Sequence, residues 1–256
     1  MPRPLARADL ESLLQARHLD RTLTTVLPPA AEAGGSDDDL VARSGVTALD
    51  ARIGGGFPRG QISELAGPRS SGRTSLLLQA IAAATRRQEL VALIDVLDMF
   101  DVSSADAAGV EFGRLLWIRG HVVPSPGFCR DRNERALDQA LKAITLVLQA
   151  GNFGLVVFDA VEAPPQSLAR LPFTTWRRLQ RIIEGSQTAC LLAGDAPIGR
   201  SAAGVTVRLS RGGVAGRGGA RIDGRLLTGL DLEIDAVRGR ARYHEDVRVP
   251  LSTCST

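Results

Sequence analysis

Residues 67–75, GPRSSGRTS, restrict the fold of this chain more than any other stretch. Gly67 and Gly72, followed by a cation and a hydroxyl, reproduce the G-x-x-x-x-G-K-[S/T] spacing of a phosphate-binding loop. In such a loop successive backbone N–H groups point inward at phosphate oxygens, and the following helix adds its positive N-terminal end. Gly67, Gly72 and Thr74 stand in register, with Ser70 and Ser71 in the loop between the glycines. One letter differs. Arg73 occupies the lysine position, and a wide, forked guanidinium replaces a compact ammonium. The loop needs a strand before it and a helix after it, and QISELAG (61–67) and TSLLLQAIAAATRR (74–87) have those patterns.

The body beyond the loop continues the alternation. LVALIDV (90–96), RLLWIRG (114–120), GLVVFDA (154–160) and TACLLAG (188–194) are apolar runs of the kind found in buried parallel strands. NERALDQALKAITLVLQAG (133–151) and FTTWRRLQRIIEG (173–185) read as amphipathic helices, the first ended by Gly151. Strands alternating with helices predict an α/β fold with a mainly parallel sheet flanked by helices. From residue 205 the period changes. VTVRLS, GLDLEIDAV and ARYHEDVRV alternate apolar and polar residues, which predicts antiparallel C-terminal strands. RGGVAGRGGARIDGR (211–225) reads as a basic, glycine-rich hairpin tip. Ahead of the body, residues 6–19 carry Leu10, Leu13 and Leu14 on one helical face, and PPAAEAGGSDDD (28–39) has the composition of a linker. The expected organisation is therefore an N-terminal helical arm with its linker over 1–40 and one core domain over 41–256.

Composition closes off other classes. Of 31 basic residues only Lys142 is lysine, and the net charge of +3 is a weak basic excess. Cys129, Cys190 and Cys254 are odd in number and dispersed, which suggests neither a disulfide framework nor a zinc site. His18, His121 and His244 have no metal-ligand spacing, so no metal site is expected. No apolar run has the length of a membrane span, and residues 1–20 lack an apolar signal core, so a cytoplasmic protein is expected. The acid after four apolar residues in LVVFDA, Asp159, suits a carboxylate that holds magnesium through water.

The run SGVTALDARIGGGFPRGQISELAGPRSSGRTSLLLQAIAAA (44–84) resembles the core opening of the bacterial RecA recombinase. LVALIDV with DMFD (90–101), GLVVFDA and LDLEIDAVRGRARYHEDVRV (230–249) are similar to later RecA strands, so the resemblance covers most of residues 44–250. It implies a RecA-type P-loop ATPase core. Against that family pattern, Leu97 falls where a glutamate activates the attacking water, with Asp98 next to it as a substitute. Ser104 falls where a tyrosine stacks on adenine, and Asp195 near the sensor glutamine, where an acid would repel phosphates. Arg238 and Arg240 fall on two lysines that reach a neighbour's ATP across the filament interface. The second DNA-binding loop shrinks to APIGRSAAG (196–204). The first lies within 162–181, where Arg177, Arg178 and Arg181 are candidates for phosphate contact and Trp176 for stacking on a base.

In size, eroded ATPase motifs and shortened DNA loops the sequence is similar to the ImuA family, the RecA-like proteins of bacterial mutagenesis cassettes. That resemblance implies a non-catalytic accessory protein of DNA repair. It would support SOS-induced translesion synthesis through contacts with a Y-family polymerase-like subunit and RecA, with weak DNA binding and self-association through the arm. Gly67, Ser70, Ser71, Gly72, Arg73, Thr74 and Asp159 would then be a vestigial nucleotide site with no required cofactor, ATP with magnesium being the candidate the motif raises. The alternative is an active DNA-dependent ATPase or recombinase of the RecA family, with Arg73 and Asp98 replacing the usual groups. A third group comprises circadian and repair-associated RecA-like ATPases and a cell-division inhibitor.

Overall fold

The computed structural model describes residues 40–120, 130–199 and 203–210, and the backbone of two further strands at 231–238 and 241–250. The expected arm, the 28–39 linker, the glycine-rich 211–225 segment and Arg240 lie outside the described residues.

The chain builds β1 (Val41–Ala42), α1 (Thr47–Arg52), β2 (Phe57–Pro58), β3 (Ile62–Ala66), α2 (Arg73–Arg86), β4 (Val91–Asp95), α3 (Val102–Ala107) and β5 (Leu115–Arg119). It continues through α4 (Arg130–Ala150), β6 (Leu155–Asp159), α5 (Pro165–Ala169), α6 (Phe173–Ile183), β7 (Ala189–Gly194), β8 (Val205–Ser210), β9 (Asp231–Arg238) and β10 (Ala241–Pro250). The main sheet has eight strands in the order β10-β9-β8-β3-β7-β6-β4-β5. From β8 to β5 every pairing is parallel. β9 and β10 add an antiparallel end. The expected α/β architecture is the one observed.

Two strand expectations are corrected. Residues 205–210 alternate in burial, yet β8 runs parallel to β3 on one side and antiparallel to β9 on the other. Alternation reports a half-covered face, not the direction of a neighbour. RLLWIRG reads as a buried strand but forms the sheet edge, and none of its residues Leu115–Arg119 is fully buried. Apolar content there serves lateral packing of Trp117 on Phe100, with ring centroids 5.2 Å apart.

The sheet is covered on both faces. On one, α2 is buried nearly all round because the β1–α1–β2 segment lies over it, with Leu49, Ile53 and Phe57 in the same core as Leu76 and Ile81. On the other, α4 and α6 pack Leu137, Ile144, Trp176 and Leu179 over Ile94, Phe158 and Leu192. The central strands β3, β4, β6 and β7 are buried along almost their whole length. Register brings their carboxyl ends to one level: Asp95 lies beside Asp159, Asp159 beside Ala193, and Ala66 beside Gly194. Open α/β sheets place ligand sites at that end.

Candidate functional site

The glycine loop leaves β3 at Ala66 and enters α2 at Arg73. Its turn is written in the backbone. Ser70 and Gly72 both have φ in the left-handed region, 62° and 81°, and Gly72 caps the helix. Gly67 is required for space, since a Cβ there would sit 2.6 Å from Ser71 Oγ and 2.9 Å from the Leu209 carbonyl. The Ser71 hydroxyl is buried under the loop and has no hydrogen-bond partner among the described residues. Thr74 is exposed at the first turn of the helix. The loop therefore keeps the shape that its spacing predicts.

The Arg73 side chain runs into the protein and is only 4% exposed. Its Nη1 donates to the Gly67 carbonyl, to the Gly194 carbonyl at 3.0 Å and to Asp195 Oδ1 at 2.7 Å. The guanidinium thus ties the carboxyl end of β3 to that of β7, beside the direct bond from Gly67 N–H to the Gly194 carbonyl at 3.2 Å. All three contacts come from Nη1, whose two N–H groups share three acceptors, so one of the bonds is bifurcated. Asp195, expected as an acid that repels phosphates, is the counter-ion of Arg73. These two departures from the family pattern, far apart in sequence, meet in space.

Beside the loop, Thr74, Leu77, Asp95, Leu97, Phe100 and Asp159 line part of a cavity of about 120 Å³. That is well below the ~300 Å³ at which ordinary ligand pockets begin. Asp159 Oδ1 accepts from Val161 N–H at 3.1 Å. Its burial, offset in part by that bond and reinforced by the nearby Asp95 charge, raises its pKa to about 6. Asp95, also in the cavity wall, is held by three donors: it accepts from the Met99 and Phe100 amides, each at 2.9 Å, and from Trp117 Nε1 at 3.2 Å. That grip fixes the turn after β4 and puts Leu97, 5% exposed, into the cavity wall. Asp98, expected as a substitute carboxylate, is corrected. Its left-handed backbone, φ 60°, turns it to the sheet edge, where Arg119 grips both oxygens at 2.8 Å. The hydrogen bond from Arg119 holds Asp98 below the usual carboxylate range. Ser104 is bound to Asp101, which caps α3. Among the described residues no group of three or more His, Cys, Asp and Glu side chains is placed to hold a metal ion.

The structure brings Gly67, Ser70, Ser71, Gly72, Arg73, Thr74 and Asp159 together at the sheet's carboxyl end. The arginines expected at a DNA loop lie elsewhere. Residues 162–181 are mostly the two helices α5 and α6. Arg177, Arg178 and Arg181 are exposed on α6. Trp176 is corrected as a stacking platform, since it is 4% exposed and packs edge-on against Phe158 with centroids 6.0 Å apart. Its position on the i, i+3 face with Leu179 and Ile183 carries that signal in the sequence. Arg238 ends β9, with its backbone opposite Val205 and Ala241. One buried acid was not singled out from the sequence. Glu64, 3% exposed on β3, accepts from the Ile198 amide at 2.7 Å, the Gly199 amide and Thr206 Oγ1 at 3.1 Å. A glutamate inside the apolar run ISELA was its one trace.

A family model described as the RecA N-terminal domain matches residues 34–168, more than half of the chain. Protein RecA of Chlorobaculum parvum is 34% identical over 163 residues, which are 58% of this chain and 43% of that protein. Protein RecA of Acholeplasma laidlawii is 38% identical over 131 residues, 50% of this chain and 35% of that protein. The chain thus spans less than half the length of these relatives. Among solved structures, a KaiC-like protein of Pyrococcus horikoshii aligns with 82% of this chain and 93% of its own, at 20% identity and a TM-score of 0.47.

Proposed function

The chain belongs to the RecA N-terminal domain family, and on that premise we propose that it is a non-catalytic accessory protein of DNA repair. Its role is to support damage-induced translesion synthesis by contacts with a polymerase-like subunit and with RecA in the cytoplasm. The observation that carries the reading is the position of Arg73. The cation at the phosphate-facing position is held by Gly67, Gly194 and Asp195 and is closed off from solvent. A phosphate would have to break that ion pair and draw the guanidinium out before gaining its charge. Leu97 adds to the argument, because it offers no proton acceptor where the family pattern has a carboxylate, and Asp98 is bound to Arg119. The residues present fit the backbone shape of a phosphate cradle and do not fit turnover of a magnesium nucleotide. No hydrolytic step is derived for them.

A protein that keeps this fold without its chemistry works as a shaped surface. The test is association of the purified chain with a Y-family polymerase-like subunit and with RecA, followed by sedimentation with and without ATP. Complexes whose affinity is unchanged by ATP support the reading. Failure to bind either partner overturns it.

A further inference from the structure

A cavity of about 420 Å³ lies away from the glycine loop. It is a groove between α6 and the segment after β7, with Ile62, Phe173, Arg177, Gln180, Arg181 and Gly199 among its walls. Both sides are held before any ligand arrives. Gln180 fixes the helix to the start of β3, its Oε1 accepting from Ile62 N–H at 2.9 Å and its Nε2 donating to the Gly60 carbonyl at 3.0 Å. The buried Glu64 carboxylate fixes the opposite side through the Ile198 and Gly199 amides. Ile62 and Trp176 lie beneath the groove but are only 2% and 4% exposed, so its apolar contact surface is Phe173 at the rim, 40% exposed. Arg177 and Arg181 are exposed and have no ion-pair partner among the described residues. Preorganised concavity, an exposed aromatic rim and arginines without ion-pair partners among the described residues are features of a binding hot spot.

We infer that this groove binds an extended acidic protein segment with an apolar anchor. The spacing selects the pattern. Arg177 and Arg181 stand one turn apart on α6, about 6 Å along its axis. Alternate side chains of an extended chain are separated by about 6.6 Å. Two carboxylates at i and i+2 therefore meet the two guanidinium groups, and an apolar side chain two residues further along reaches Phe173, one turn before Arg177. The sequence read by the groove is apolar-x-acid-x-acid, in one chain direction or the other.

Single-stranded nucleic acid carries the same charge but needs exposed ring faces on which to stack. Among its described walls only Phe173, at the rim, is an exposed ring, where successive bases would need several. Trp176 is buried edge-on against Phe158, and the Arg177 guanidinium lies over the Phe173 ring at 6.0 Å. Glu184, also in the wall, opposes a uniform polyanion. The inference gives the chemistry of a partner for the accessory role and rests on that reading. Association with the polymerase-like subunit and RecA tests the role and peptide binding tests the groove, so either can fail alone.

The probe is a fluorescein-labelled peptide of the apolar-x-acid-x-acid pattern with leucine as the anchor, titrated into the full chain and read by anisotropy. Controls are the same peptide with Asn and Gln for the acids, and an oligothymidylate competitor. The expected result is saturable binding that falls at least about tenfold with the amide peptide and with Arg177→Glu/Arg181→Glu. Arg178→Glu, next to the groove on the same helix, should leave affinity within about twofold. All three side chains are exposed, and unchanged thermal melting of the variants confirms folding. Absence of binding, equal loss in Arg178→Glu, indifference to the double variant, or displacement by a tighter-binding oligothymidylate would each overturn the inference. The last would assign the surface to nucleic acid.

Discussion

Breaking the Arg73–Asp195 pair should weaken the fold in a way that nucleotide-site arginines in open pockets would not. Arg73→Met keeps an unbranched apolar stem and removes the charged end of the side chain. It deprives the Gly67 carbonyl of the Arg73 donor, but it also removes the desolvated Nε, which has no partner among the described residues. The net cost should be about 1–3 kcal/mol. Asp195→Asn leaves the buried cation with carbonyl dipoles alone. A fully buried charge stripped of its partner costs about 3–5 kcal/mol, but Asp195 is 47% exposed and solvent screens part of the loss, so about 1–2 kcal/mol is expected. Because the two side chains touch, the double variant should lose less than the sum of the singles, with a coupling of about 1 kcal/mol. Urea unfolding of the four proteins in the cycle, at equal m-values, measures it. A coupling indistinguishable from zero, or an Asp195→Asn protein more stable than the parent, would refute the reasoning: Arg73 would then not be tied to β7 in solution.

Gly67→Ala should cost about 1–3 kcal/mol, because its Cβ meets Ser71 Oγ at 2.6 Å and the Leu209 backbone at 2.9 Å; a loss of melting temperature checks it. Asp159 has a folded pKa raised from 3.8 to about 6 by burial. The folded state therefore holds this proton more tightly than the unfolded chain, and its contribution is present below pH ~4 and lost as pH rises through ~6. Asp159→Asn should flatten the stability profile across that window and stabilise the protein at pH 7 by about 1–2 kcal/mol, the residue being partly open to the cavity; urea titrations at several pH values decide it. Leu97→Glu, which places a charge at a 5% exposed position, should cost about 2–4 kcal/mol without creating turnover; unfolding and phosphate-release assays read the two parts.

The α/β frame was legible because the central strands are continuous apolar runs and the glycine loop has one structural solution. What composition could not report was context. RLLWIRG has the apolar content of a buried strand but lies at the sheet edge, since content does not encode which neighbours a strand has. VTVRLS alternates because one face is covered, and its parallel partner β3 is set by the crossover from β7. Asp98 stands beside the right position in sequence, but the left-handed turn sends it to Arg119. Arg73 and Asp195 are each a departure when read alone. Only the register of β3 with β7 shows that they neutralise each other.

The central claim is that this fold no longer turns over nucleotide. Phosphate release from ATP by the purified chain, with and without single-stranded DNA and beside Arg73→Lys, tests it most directly. The account predicts no turnover in any of these conditions, since Leu97 supplies no base even when the lysine is restored. DNA-stimulated release by the natural sequence that disappears in Asp159→Ala would contradict it.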